Sequence, residues 1–208
     1  MTTLIIVAHP DDEILGCGGT AAKLSKTEKV HCIIFSFGGK WPPWKKEDTL
    51  QRVRIKEAKK AGEIVGFSST SFLGFPDMEM SDKKEKALEL VKKIIKKYKP
   101  NKIFTHSIND THPNHTFVNN VVNEAVSKMK KKPELFFFDI SSIKKLFFGR
   151  ELNILFDITE TYKKKKEALK VFKSQKSLLL FLVPFLKWKA KKLGKKQGFK
   201  YCEYFYYK

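Results

Sequence analysis

Two short segments hold the residue types that carry out hydrolytic chemistry. One is His9-Pro10-Asp11-Asp12-Glu13 and the other is His112-Pro113-Asn114-His115, and between them they contain three of the chain's five histidines. Imidazole and carboxylate together suit a divalent ion such as zinc, whose catalytic sites use three protein ligands and leave the fourth position to water. Amide hydrolysis also needs a base to take the proton of that water and an acid to protonate the departing amine. Tandem carboxylates at Asp11 and Asp12 answer both needs, one on the metal and its neighbour beside the water. A lone histidine after a strand is ordinarily a satisfied structural residue. It is the combination of His9, Asp11, Asp12, His112 and His115 that points to chemistry.

The elements that would position these side chains follow from the hydrophobic pattern. Thr3 to Ala8 is a short apolar run rich in β-branched residues; the His-Pro-Asp-Asp segment follows at once, and a helical pattern continues through Lys23. The cycle repeats with a strand Val30 to Phe37 and a helix Glu47 to Val65, then Ser71 to Leu73, a helix Asp82 to Tyr98 and a strand Lys102 to Thr105. A helix His115 to Met129 and a strand Leu135 to Asp139 come next, after which the pattern loses regularity, with Ile154 to Ile158 as an expected edge strand. Such alternation predicts an α/β, Rossmann-like fold: a mostly parallel sheet with helices on both faces, as one domain over residues 1–208, ending in a less regular, basic helical portion. In open parallel sheets ligands bind beyond the carboxyl ends of the strands. His9 to Glu13 follow the first strand there, and His112 and His115 follow the strand ending at Thr105, so both groups are expected on one edge.

AHPDDE at residues 8–13 with HPNH at 112–115 resembles the LmbE/PIG-L family of zinc-dependent N-acetylglucosaminyl deacetylases. Further matches are GCGGT at 16–20, the RxxEA pattern of Arg54 to Ala58, LGFPD at 73–77, NDTHPNH at 109–115, DIT at 157–159, Ser174-Gln175 and YCEYF at 201–205. The resemblance implies an LmbE-like fold in which His9, Asp12 and His115 bind zinc. It makes Asp11 the general base, which then gives its proton to the amine, and sets His112 against the tetrahedral intermediate. Arg54 would contact sugar hydroxyls. One departure is Asn114, where bacterial members usually carry Asp; without that charge, His112 is expected to have a lower pKa and the activity optimum to lie further toward acid.

Other features read more plainly. Asp77, in the FPD turn, is either a turn residue or an acceptor supporting the ligands, and Asn114 is expected to support His112. Asp110 shapes the loop before His112, His106 supports a ligand or merely packs, and His31 is structural. Gly16, Gly18 and Gly19 do not have dinucleotide-binding spacing and fit close helix-to-sheet packing instead. Cys17, Cys32 and Cys202 fall in no metal-binding spacing and suit reduced thiols and a cytoplasmic location. The loop Trp41-Pro42-Pro43-Trp44 could line a pocket, cover the sheet edge or pack in an oligomer contact.

Lysine supplies most of a formal charge of +20, which predicts anionic partners beside much ordinary solvated helix surface. No named nucleic-acid motif accompanies it, so specific nucleic-acid binding is not expected. Leu178 to Leu186 is almost wholly apolar between lysine clusters at 163–166 and 187–196. That is too short for a membrane span, which needs about 20 residues. The 178–200 segment is either a core or homo-oligomer helix bent at Pro184, or an interfacial element touching anionic lipid, in which case the amino-sugar substrate could itself be anionic or lipid-linked. The competing functions are an amidase of the same family acting on another acyl group or a thiol-sugar conjugate, and a basic nucleic-acid or anionic-surface binder with a vestigial zinc site.

Overall fold

The structure, a computed structural model, describes residues 1–40, 44, 46–77, 79–140 and 153–207. Most of the tryptophan-proline loop thus lies outside the described residues, though Trp44 is described and exposed.

Seven strands form one sheet in the order β3-β2-β1-β4-β5-β7-β6. β1 (Thr2–Val7), β2 (Lys29–Ser36), β3 (Ser69–Phe75), β4 (Lys102–His106) and β5 (Glu134–Phe138) run parallel, whereas β7 (Cys202–Tyr207) lies antiparallel between β5 and β6 (Asn153–Asp157). The expected α/β architecture is therefore present, and β6 is the edge strand anticipated at Ile154. β7 was not foreseen as a strand.

Period-two alternation sends the two faces of β1 into separate cores. Ile5 and Val7 join the cluster built with α1 (Asp12–Leu24), α2 (Glu47–Val65), α5 (Tyr162–Leu169) and α6 (Lys176–Lys196). Leu4 and Ile6 join the cluster built with α3 (Lys84–Tyr98) and α4 (Pro113–Ser127). A strand apolar on both faces is what a sheet covered on both sides requires. Among the described residues no helix is long and apolar enough to cross a membrane.

The glycine-rich start of α1 serves packing. A Cβ on Gly16 would lie 2.2 Å from the Phe138 ring, and one on Gly19 would lie 2.7 Å from Ile158, so only glycine lets α1 sit this close to the sheet. Behind it, Lys165 Nζ donates to Glu203 Oε1 at 2.6 Å and to the Leu15 carbonyl at 2.8 Å, while Gly19 and Thr20 N–H groups donate to the same carboxylate. This buried clasp ties α1, α5 and β7 together. All three cysteines are buried and free, and His31 packs on Tyr98 beside Ser69, as expected of structural groups.

Candidate active site

Strand order reverses between β1 and β4: β2 and β3 extend from one side of β1, and β4 and β5 from the other. Adjacent parallel strands whose connections leave in opposite directions open a crevice at their carboxyl ends. His9 leaves β1 there, and α4 begins there after β4.

Local sequence explains both approaches. His112 is the N-cap of α4, its Nδ1 accepting from the Asn114 N–H at 3.2 Å, and Pro113 occupies the first helical position, where the missing N–H does no harm. His115 then falls in the first turn. At the other approach Asp11 turns the chain into α1 with φ of 111°, a strained conformation for a residue with a side chain. Glu13 Oε2 holds that turn by accepting the Asp11 N–H at 2.9 Å. Asp12 and Glu13 lie in the first turn of α1, where the helix dipole favours negative charge.

Asp12 Oδ2 is the hub of the site. It lies 3.3 Å from each of three imidazole nitrogens, His9 Nδ1, His106 Nε2 and His115 Nε2, and accepts the His9 N–H at 2.8 Å. Burial alone would raise its pKa, but the rings of His115 and His106 outweigh burial and hold it well below the usual carboxylate range. Burial likewise opposes charge on His115, yet Asp12 and Asp110, whose Oδ1 is 3.0 Å from Nδ1, push that ring up to about 10. His106 stacks on it at 3.9 Å. Burial and the His115 charge bring His106 down to about 4, so of the two stacked rings only His115 is positively charged at neutral pH.

Asp11 stands apart from this hub. Its Oδ2 lies 3.2 Å from Arg54 Nη2, and burial raises its pKa to about 7 against the opposing pull of Arg54. Arg54 also donates to the Gly38 carbonyl at 2.9 Å and to the Pro10 carbonyl, and is itself buried. It thus fixes Asp11 and the loops around it rather than standing open to solvent. His112, exposed at the mouth, is lowered to about 4 by desolvation and by the rings of His115 and His9.

The side chain of Asn114 does not reach His112. Its Nδ2 lies 3.0 Å from His9 Nε2 and donates to the Asp77 carbonyl at 2.9 Å, so only its backbone N–H supports the His112 ring. The expectation that the Asn114 side chain orients His112 is corrected accordingly: α4 turns that side chain toward the β1 loop. Asp77 has its buried Oδ1 3.8 Å from His9 Nε2 and, among the described residues, without a hydrogen-bond partner.

Two sets of side chains bring ligand atoms within 4.8 Å of one another: His9, His112 and His115, and Asp12, His106 and His115. The trio expected from sequence spans both, sharing His115. Hydrogen bonds already engage ring nitrogens in both sets. The Nε2 lone pair of His106 already accepts the Ala8 N–H at 3.0 Å, and the Nδ1 lone pair of His112 accepts the Asn114 N–H. His9 Nε2 is engaged in the same way, facing the Asn114 amide at 3.0 Å, and each set offers the nitrogen-rich or mixed nitrogen and oxygen donors that suit zinc.

Three positioning residues were under-read in the sequence. Glu13 was given no role; Asp110, besides accepting the His112 and Ile140 N–H groups as a loop former, faces His115; His106 anchors β1 through Ala8. The signal for Asp110 was its place five residues before His115, across a loop short enough to turn back on it.

Residues 4–126 match the model of the PIG-L family, described as GlcNAc-PI de-N-acetylase. A probable N-acetyl-alpha-D-glucosaminyl L-malate deacetylase 2 of Bacillus cereus is 28% identical over 191 residues, covering 85% of this chain and 84% of its own. The structure of an N,N'-diacetylchitobiose deacetylase from Pyrococcus horikoshii superposes with a TM-score of 0.84 at 23% identity, covering 100% of this chain and 83% of that one. A 4-carboxy-2-hydroxymuconate hydratase from Pseudomonas putida superposes with a TM-score of 0.85 at 20% identity, covering 99% of this chain and 95% of that one. At these identities the two structures speak for the fold alone, and one fold carries two chemistries.

Proposed function

This chain belongs to the PIG-L family, and on that premise we propose that it is a zinc-dependent deacetylase that removes the N-acetyl group from an N-acetylglucosamine conjugate. The family description and the Bacillus relative's name support the amino-sugar substrate. One observation carries the chemistry: Asp12 is embedded among imidazole nitrogens while the adjacent Asp11 is held away from them by Arg54 with a pKa of about 7.

His9, Asp12 and His115 hold the ion in this reading. When bound, zinc supplies a positive charge facing the acetyl carbonyl oxygen and acidifies a water molecule. Asp11 takes the proton of the attacking water and returns it to the amine nitrogen as the carbon–nitrogen bond breaks, a double role that suits a group titrating near neutrality. Because His112 Nδ1 accepts from Asn114, its proton sits on Nε2, so the neutral ring donates a hydrogen bond to the developing oxyanion. Arg54 positions Asp11, and the contact with sugar hydroxyls implied by the resemblance belongs to the same proposal. Asp77 and Asn114 support His9. Acetate and a free amine leave.

The test is release of amine and acetate from a panel of N-acetylglucosamine conjugates and their longer-acyl analogues. Equimolar products, lost on chelation and in Asp11→Asn, are expected. Cleavage confined to longer acyl groups would replace the deacetylase reading by a broader amidase. No cleavage by the zinc-loaded protein would remove the hydrolase.

A further inference from the structure

Helix α6 presents two different faces. Leu179, Ala190 and Gly194 are buried, with Val183 and Leu186 half-buried on the same side. On the other side Phe181, Pro184, Trp188, Lys191 and Lys195 recur at helical spacing, and every one of them is exposed. Phe181 is 78% exposed, and its neighbour Leu180, at 67%, widens the apolar part. Between residues 161 and 200 Glu167 is the only acidic residue.

The segment that leads into the helix is tied to α2, the helix that carries Arg54. At its entry, Glu57 accepts hydrogen bonds from Ser174 N–H (2.9 Å) and Ser174 Oγ (2.5 Å), and Glu57 is one helical turn from Arg54. Further along, Lys189 extends to within 5.7 Å of the Tyr204 ring in β7, next to β5.

We propose that the outer face of α6 docks this protein on an anionic lipid surface, with Leu180, Phe181 and Trp188 entering the interface and Lys187, Lys191 and Lys195 among the headgroups. Large apolar side chains at one end of the face and lysines at the other match the two parts of a headgroup boundary. A second copy fits poorly, since a two-fold contact would bring these lysines against themselves on a chain of charge +20. Nucleic acid would use the lysines and leave Leu180 and Phe181 without a partner. The helix is not long and apolar enough to span, so docking is peripheral. The proposal needs neither metal nor turnover and stands apart from the deacetylase reading.

Flotation of the purified full chain with vesicles tests it. Recovery with phosphatidylcholine–phosphatidylserine vesicles and little with phosphatidylcholine alone is expected. Phe181→Ser with Leu180→Ser, at exposed positions that leave the melting temperature unchanged, should weaken recovery about tenfold, and Lys191→Glu with Lys195→Glu by at least as much. Three results would overturn the idea: no recovery with anionic vesicles; recovery indifferent to the Phe181 and Leu180 changes, which would reveal a general polyanion site; or a wild-type dimer that these changes dissociate, which would make the face a contact between copies.

Discussion

Asp11 Oδ2 lies 3.2 Å from Arg54 Nη2, in a pair shut off from solvent. Arg54 is the strongest influence lowering the Asp11 pKa against burial. Removing that charge lets the Asp11 pKa rise, and a carboxylate base then needs higher pH to be ionised. Arg54→Gln is therefore expected to move the acid limb of the pH–rate profile to higher pH and to lower kcat about a hundredfold, in the range of a lost base contribution. Arg54→Lys, which keeps the charge without the fork, should leave the limb closer to wild type. An unmoved limb in Arg54→Gln would break the link between the two residues.

The metal-free protein should be most stable near pH 6.5. His106 has a folded pKa of about 4 against an unfolded 6.5, so the unfolded chain binds the extra proton as pH falls through that window and stability drops, by roughly 3 kcal/mol. His115 has the opposite sign: its folded pKa of about 10 gives stability that is full below 6.5 and is lost as pH rises toward 10. Melting temperatures of chelator-treated protein across pH 4 to 10 should trace this arch. A curve rising steadily with pH would contradict the assignment of charge to His115.

On the proposed ligand set, metal loading is expected to release protons, because a ring protonated up to about pH 10 would give up its extra proton to become a ligand. Titration calorimetry at pH 7 in buffers of different ionisation enthalpy should show about one proton released per zinc bound. Buffer-independent heats would mean that His115 is not displaced.

Asn114→Asp exchanges a donor for a carboxylate facing the Asp77 carbonyl, and it adds negative charge beside His9. The pH–rate profile should shift alkaline and stability fall by about 1–2 kcal/mol. Asn114→Ala removes the hydrogen bonds without the charge and should lower stability with no such shift. Equal profiles for the two variants would dismiss the electrostatic account.

Gly16→Ala should cost about 1–3 kcal/mol, since the new methyl meets the Phe138 ring at 2.2 Å. Recovery of part of the lost melting temperature in the double variant with Phe138→Leu checks the cause.

Most of the parallel sheet was legible because each strand is a compact β-branched run closed by a polar turn, as β1 is by His9-Pro10. β7 escaped because Glu203 interrupts its aromatic run; that glutamate is buried only through the Lys165 clasp from α5, a partner no local pattern reveals. Helix α3 begins at Lys84 rather than Asp82 because a 3₁₀ turn over Ser81–Lys83 precedes it. Within the site, His9, Asp11, Asp12, His112 and His115 were legible from type and spacing, and the fold does bring them to one crevice. What spacing could not say is which way a side chain turns. Asn114 reaches back to His9, and Arg54 points inward to Asp11. Both directions are set by packing between elements distant in sequence.

The most direct measurement is anomalous diffraction at the zinc edge from crystals of zinc-loaded protein. A single strong peak bounded by His9, Asp12 and His115, with Asp11 outside bonding distance of it, is the predicted result. A peak centred instead on Asp12, His106 and His115, or none in the crevice, would contradict the account.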